Sequence, residues 1–382
     1  PDGSLRYDLR VVGSLNGAKD MDKVLIAPKQ DSRGDWTQAE IQSVFGTGER
    51  ARVCADAIIV RCGIPTEFPP EVLAEAEEIS KMTVTPEDIA QRLDLRDEPI
   101  FTIDSADAKD LDDAICVHKT ENGYKLGVHI ADVSHYVKAK SAIDNEAYRR
   151  GTSVYFADRV IPMLPEALSN GVCSLNAGTE KLTFSALMEF DTQGNMTHYE
   201  FRKAVINSKV RGVYSEVNEI LAGTASQQLL DKYAPVMDSL MAAYELFHVF
   251  QKAAEARGNM DLSSDETKFV LDENGVCVQL LPRTTGEAEQ LIEQMMIAAN
   301  IASARALKAE IPFLYRVHER PQPDRVDELA ELLERLGIPC RELRKGKPST
   351  KDFGAILDRV KGTPRESLVN QRVLRTMEKA HY

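Results

Sequence analysis

Four aspartates, Asp104, Asp110, Asp112 and Asp113, lie within ten residues of one another in the segment FTIDSADAKDLDDAICV. Carboxylates so closely spaced repel one another when ionised, and they oppose folding unless cations neutralise them. Hard divalent cations favour oxygen ligands of this kind, and magnesium is commonly held by a few carboxylates together with a substrate phosphate. A solvated acidic turn is the plainer reading of the same residues. The spacing is not that of an EF-hand loop, which needs an oxygen ligand where Ala106 stands and Gly where Lys109 stands. Asp110-Leu-Asp112 also fits the D-x-D of nucleotide-sugar transferases, a signal of only three residues.

The elements that must position these aspartates can be read on either side of them. Ile100 to Asp104, Ala114 to His118 and Tyr124 to Ala131 read as strands, and Thr183 to Phe190 with His198 to Ile206 form a hairpin around Thr192-Gln-Gly-Asn195. Helical periodicity covers Gln228 to Arg257, Gly286 to Lys308 and Arg325 to Leu336, the last with an apolar stripe of Val326, Leu329, Leu332, Leu333 and Leu336. Met295 and Met296 read as packing residues. Nearer the N-terminus, Arg6 to Leu15, Lys23 to Ile26 and Ala51 to Arg61 are β-type runs, and Lys29 to Gly48 reads as an extended loop or short helix. Pro69 to Lys81 is a Glu- and Ala-rich helix, and Thr85-Pro86-Glu87-Asp88 supplies a cap, a first-turn Pro and early acids for the next.

Composition narrows the classes. With 382 residues, 43% of them hydrophobic and 28% charged, the chain can bury one large core or several smaller ones, which excludes a disordered or collagen-like protein. The six cysteines (Cys54, Cys62, Cys116, Cys173, Cys277, Cys340) include no C-x-x-C pair, so they read as reduced and mostly buried thiols rather than a zinc site or a disulfide framework. The start of the chain lacks a secretory pattern and a Met, and reads as cut rather than native; no apolar run is long enough for a membrane span. The expectation is a cytoplasmic protein with no membrane partner. A net charge of −13 argues on its face against nucleic acid, yet an acidic cluster that holds cations lowers the total without repelling a phosphate.

The context of the aspartates is more specific than their spacing. TIDSADAKDLDDA, GVHIADVSHYV (Gly127 to Val137), RGTSVYFADRVIPMLPEALSNGVCSLN (Arg150 to Asn176), KAVINSKVRGVYSEV (Lys203 to Val217), IEQMMIAANIASARAL (Ile292 to Leu307) and YRVHERP (Tyr315 to Pro321) together resemble the ribonuclease II and ribonuclease R exoribonucleases, whose catalytic module is the RNB domain. The resemblance runs from about residue 63 to the end, and IPTEFPPEVLAEAE (Ile64 to Glu77) brings it closer to the ribonuclease R branch. It implies a 3′-to-5′ exoribonuclease that hydrolyses single-stranded RNA to nucleoside 5′-monophosphates with two magnesium ions, manganese being an acceptable substitute. By that analogy Asp104, Asp110 and Asp113 are metal ligands, and Asp112 is the residue most critical for cleavage. Tyr155 matches the tyrosine that stacks on the terminal base, an interaction worth ~1–3 kcal/mol and indifferent to sequence. Tyr214 and Glu293 match positions that contact the sugar and favour ribose through its 2′-OH. Arg159 is a candidate RNA contact, as are Arg149, Arg150, Arg202, Lys203, Lys209, Arg211 and the basic run from Arg341 to Lys351. His129 and His135 are expected to be structural.

The fold class this implies is α+β, an RNB-type mixed sheet with surrounding helices, preceded by a partial cold-shock or OB-like β-barrel segment. The expected domains are that β segment over 1–65, a helical connector over 66–99, and the RNB catalytic domain over 100–382 without its C-terminal part. Family members carry a Thr-Ser-Pro-Ile-Arg-Arg-Tyr segment with a phosphate-binding arginine, and a C-terminal oligonucleotide-binding barrel; this sequence contains neither. The expectation is therefore a monomeric piece of a longer enzyme, weakly active or inactive alone, with RNA and not DNA as its partner. The alternative is an RNA-binding or regulatory RNB module without cleavage.

Overall fold

The computed structural model describes residues 9–260, 267–282, 285–306 and 313–382. Residues Arg6 to Asp8 of the first expected β run, and Leu307 and Lys308 of an expected helix, lie outside them. The chain forms two units: Pro1–Met82 with Tyr136–Ser169 and Asp265–Thr284, and Thr83–His135 with Asn170–Ser264 and Thr285–Tyr382.

In the first unit, strand Gln38–Thr47 lies between Asp22–Lys29, to which it is antiparallel, and Arg10–Val11, to which it is parallel. Its turn is organised by Asp31, whose carboxylate accepts the N–H groups of Arg33 and Asp35 and the Thr37 hydroxyl. This strand replaces the second half of the expected loop or short helix, while residues 30–37 are loop, because pairing across the sheet satisfies its backbone. Ala51–Cys62 is a helix, not the expected strand. Its aliphatic run suits either state, but Val53, Ala55 and Ile59 form a buried face, and Gly63 closes the helix at φ 63°. Helix Pro70–Ser80 packs against Ala142–Arg150, with the Glu75 carboxylate accepting the Ile143 N–H.

The second unit is built on a seven-stranded sheet. Its strands in chain order are β1 (Leu93–Leu95), β2 (Phe101–Asp104), β3 (Asp113–Thr120), β4 (Gly123–Ala131), β5 (Glu180–Asp191), β6 (Met196–Asn207) and β7 (Val210–Val213), arranged β7-β2-β3-β4-β5-β6-β1. The run β2 to β6 is antiparallel, while β7 and β1 join the two edges in parallel. Helix α1 (Pro86–Gln91) has the expected Thr85 cap, which forms a reciprocal capping box with Asp88.

Period-two alternation gives the sheet an apolar face of Phe101, Ile103, Ile115, Val117, Leu126 and Val128. It is covered by two long helices, Met237–Arg257 and Glu287–Ala306, through residues such as Leu246, Phe247, Leu291 and Met295. In order, α2 (Tyr214–Leu221) and α3 (Gln227–Tyr233) precede them, so the two long helices are α4 and α5. The single helix expected over Gln228 to Arg257 is divided at Pro235, which cannot donate a helical hydrogen bond. The other sheet face buries polar groups: His129 is completely buried, its Nδ1 lies 2.8 Å from Ser185 Oγ, and burial drives its pKa down to about 3. A neutral histidine locked there fits a structural role. A separate core joins α6 (Pro323–Arg335), α7 (Thr350–Val360) and α8 (Glu366–Thr376) through Val326, Leu329, Leu333, Phe353 and Val369. The six cysteines are all free; three are buried, but Cys62 and Cys277 are exposed, contrary to the mostly buried expectation. Among the described residues no helix is long and apolar enough to cross a membrane.

Candidate active site: the aspartate loop

The loop is the connection between two neighbouring strands. Asp104 ends β2 and Asp113 begins β3, so sheet formation alone brings the two together. Asp110 and Asp112 flank Leu111, which is 1% exposed and anchors the segment by burial. Beyond it, the Asp112 C=O accepts the Ala131 N–H at 3.0 Å, joining the loop to the end of β4. Arg211 on β7 donates from Nη2 to the carbonyls of Ala106 (3.0 Å) and Ala108 (2.6 Å). That arginine, a candidate for following an RNA backbone, is exposed and grips the loop.

Electrostatics agree with the geometry. Burial pushes the Asp113 carboxyl up to about 6, and the charges of Asp104 and Asp112 add to the rise. Asp112 is raised by burial of its carboxyl and then by Asp110 and Asp104, although the residue as a whole is exposed. Asp104 is raised by burial and by Asp110, against lowering from the Ser105 N–H and Arg211. Three carboxyls that resist ionisation together form an all-oxygen donor set that hard divalent cations would relieve. The chemistry of the donors thus fits the metal expected from the sequence.

A pH dependence follows from Asp113. A carboxyl whose folded-state pKa lies above its unfolded value binds its proton more tightly in the folded chain, so its contribution to stability falls as pH rises from about 4 to about 6. In EDTA, lowering the pH from 7 to 5 should therefore stabilise the chain by about 1 kcal/mol through this group. Urea unfolding at both pH values measures it, with Asp113→Asn losing that increment. An equal pH response in the variant would contradict the assignment.

The other nominated residues fall in different places. Tyr214 opens α2 directly after β7, whose Val213 is in register with Asp104. The turn is fixed by Tyr233, whose hydroxyl accepts the Val213 N–H and donates to Glu216. Close β7–β2 pairing requires Gly212, since a Cβ there would lie 2.5 Å from the Thr102 carbonyl oxygen. Glu293 lies on the exposed side of α5, which Asn218 of α2 joins through bonds to Glu289 and the Ala288 N–H. Tyr155 and Arg159 belong to the first unit, on and beside the two-stranded ribbon Val154–Tyr155 and Val160–Ile161. There Tyr155 is 68% exposed and Arg159 pairs with Asp56.

Several basic candidates are engaged internally. Arg150 has a buried side chain that pairs with Glu146, donates to the Glu67 and Pro162 carbonyls and lies over the Phe68 ring. Arg149 shares Glu146, Lys203 pairs with Asp132, and Lys209 donates to the Arg96 carbonyl. In the basic run, Arg344 pairs with Asp327 and Glu334. Among the described residues, the His/Cys/Asp/Glu set with ligand atoms all within 4.8 Å of one another is Glu98, Cys116 and His118, which excludes the aspartates. Its His118 Nε2 and Glu98 Oε2 are 2.7 Å apart, and burial followed by Glu98 pushes the Cys116 thiol up to about 12. A bonded imidazole and carboxylate beside a protonated thiol account for that cluster.

A family model described as the RNB domain matches residues 92–382, the stretch that carries the aspartate loop and the whole seven-stranded sheet. The chain belongs to the RNB domain family. RNB relatives extend the likeness to the rest of the chain. Ribonuclease R of Thermotoga maritima is 43% identical over 388 residues, covering 100% of this chain and 54% of that protein. Ribonuclease R of Escherichia coli is 38% identical, covering 90% of this chain and 42% of its own length. The chain thus spans about half the length of the curated relatives it matches. The solved structure of Mycoplasma genitalium RNase R in complex with ribose-methylated single-stranded RNA superposes with a TM-score of 0.87 at 31% identity, over 98% of this chain and 58% of that one. Yeast Ssd1, titled a pseudonuclease, has the same fold at a TM-score of 0.68 and 16% identity.

Proposed function

We propose that the full gene product carrying this chain is a 3′-to-5′ exoribonuclease that hydrolyses single-stranded RNA to nucleoside 5′-monophosphates. The observation that carries this reading is the loop between β2 and β3, which holds four aspartates within ten residues, three of them with raised pKa values, in a chain of the RNB family. Asp104, Asp110 and Asp113 would hold two magnesium ions, or manganese. When bound, the ions supply positive charge that activates water and offsets the charge building on the phosphoryl group. The remaining work falls to the chain. Asp112, the most accessible of the four aspartates, is the carboxylate whose charge completes the site for cleavage. Arg211, by holding the Ala106 and Ala108 carbonyls, keeps the loop from spreading under its own repulsion. Tyr155 stacks on the terminal base, Tyr214 and Glu293 read the ribose 2′-OH, and Arg159 contacts the RNA.

Metal binding is tested without any substrate. Titrating magnesium or manganese should stabilise the chain against urea, by about 2–3 kcal/mol at one hundred times the dissociation constant. Asp110→Asn should abolish the gain. An unchanged unfolding curve in the unaltered chain would contradict the metal assignment.

The stacking assignment has its own readout. In the full gene product, Tyr155→Ala should leave a longer smallest end product, because the last bases lose a platform worth ~1–3 kcal/mol each. Cleavage of longer RNA should persist. An end product of unchanged length on a sequencing gel would remove Tyr155 from this role.

A further inference from the structure

The carboxylates of the aspartate loop are spaced by a backbone that runs outside regular structure from Ser105 to Asp112. Such a segment needs outside partners to hold one geometry against mutual repulsion. One side chain supplies them on both sides of Asp110. Ser174, fully buried, accepts the Leu111 N–H at 3.1 Å and donates its hydroxyl to the Lys109 C=O at 2.8 Å. Its neighbour Leu175 donates its N–H to the Leu111 C=O at 2.8 Å. The strand-like contact from 174–175 therefore fixes the peptide groups that carry Asp110 and lead into Asp112.

Ser174 is itself delivered by a second fastening. Lys181 on β5 donates from Nζ to the carbonyls of Gly171 (2.8 Å) and Val172 (3.2 Å), the turn just before Ser174. Burying a lysine ammonium is costly unless polar partners replace its water, and these two carbonyls are such partners. The two groups thus form a relay from β5 through 171–175 to the aspartate loop.

We propose that Ser174 is the positioning residue of the aspartate loop, setting the separation of the metal-holding carboxylates through its two backbone bonds, with Lys181 holding Ser174 in place. The proposal rests on the reading that these aspartates bind divalent metal. Outer partners that orient ligands typically govern affinity by 10–100-fold when removed.

The test is manganese binding by the full gene product without RNA, followed by calorimetry and compared between the unaltered protein and Ser174→Ala. Alanine keeps the volume and removes both bonds. Manganese affinity should weaken by about tenfold or more in folded Ser174→Ala. In activity assays the same variant should show a lower kcat, an unchanged KM for RNA, and partial recovery in excess manganese. A merely structural serine would lower the unfolding midpoint in EDTA but leave manganese affinity of the folded protein alone. Manganese affinity within twofold of the unaltered protein would overturn the proposal. Should Ser174→Ala fail to fold, Lys181→Met provides the same comparison, expected to weaken manganese binding in the same direction. A Lys181→Met affinity equal to that of the unaltered protein would then overturn it. An unaltered protein that binds manganese but cuts no RNA would contradict the exoribonuclease reading and leave the Ser174 comparison decisive. An unaltered protein that takes up no manganese would overturn both.

Discussion

Asp112→Asn in the full gene product should lower turnover of single-stranded RNA by about a thousandfold or more, the scale expected when a preorganised charge is lost from a phosphoryl-transfer site. RNA affinity should stay equal or improve slightly, because one negative charge facing the phosphate has gone. The two readouts separate because stacking at Tyr155 and contacts to the sugar and backbone, rather than Asp112, are assigned to holding the RNA. Nucleotide release and mobility shift on the same labelled RNA measure them together. Binding lost in proportion to activity would mean that Asp112 shapes the channel or the fold. Retained turnover would refute the assignment outright.

The largest effect on stability should come from Arg92→Met. Arg92 Nη2 lies 2.8 Å from Asp132 Oδ2, and both side chains are nearly inaccessible, at 5% and 3%. Lys203 Nζ approaches the same oxygen at 3.2 Å, and the Ser134 hydroxyl donates to Oδ1. Burial acts to raise the Asp132 carboxyl, yet contacts from Arg92, Ser134 and Lys203 leave it below its ordinary value. Removing the guanidinium leaves a buried carboxylate with one partly exposed lysine, a situation that typically costs 3–5 kcal/mol. The double variant Arg92→Met/Asp132→Leu should recover most of that loss. Urea unfolding at pH 7 checks both, and a loss below about 1 kcal/mol for Arg92→Met would contradict the account. The site should feel the same change, because Asp132 directly follows the residue whose N–H holds the Asp112 carbonyl.

Some of this architecture is legible in the residues and some is not. The strands around the aspartates are legible as short apolar runs, and the β5–β6 hairpin through its Gly194 turn, where Asp191 accepts the Gln193 and Asn195 N–H groups. Ala51–Cys62 is ambiguous because Val, Ile and Ala suit either state, and Gly63 can end a strand as readily as a helix. Gln38–Thr47 is hidden because its partners, Arg10–Val11 and Asp22–Lys29, are what make it a strand. The aspartates are visible as a cluster, but their individual roles come from the family resemblance and not from spacing. Charge is the least informative signal: Arg150, Lys203 and Arg211 look alike in sequence, yet Arg150 is buried against Glu146 while Lys203 and Arg211 stay exposed and also bind Asp132 and the loop carbonyls. Ser174 lies within one of the family-like segments, but nothing in that segment ties a serine more than sixty residues from Asp110 to the loop.

The most direct measurement is the product of digestion. The full gene product is incubated with magnesium and a single-stranded RNA labelled either at its 5′ end or in its last nucleotide. The account predicts early release of the 3′-terminal label as a nucleoside 5′-monophosphate, stepwise shortening of the 5′-labelled strand, and arrest of both by EDTA. Internal cuts, products bearing a 3′-phosphate, or RNA that is bound and never shortened in magnesium would contradict it.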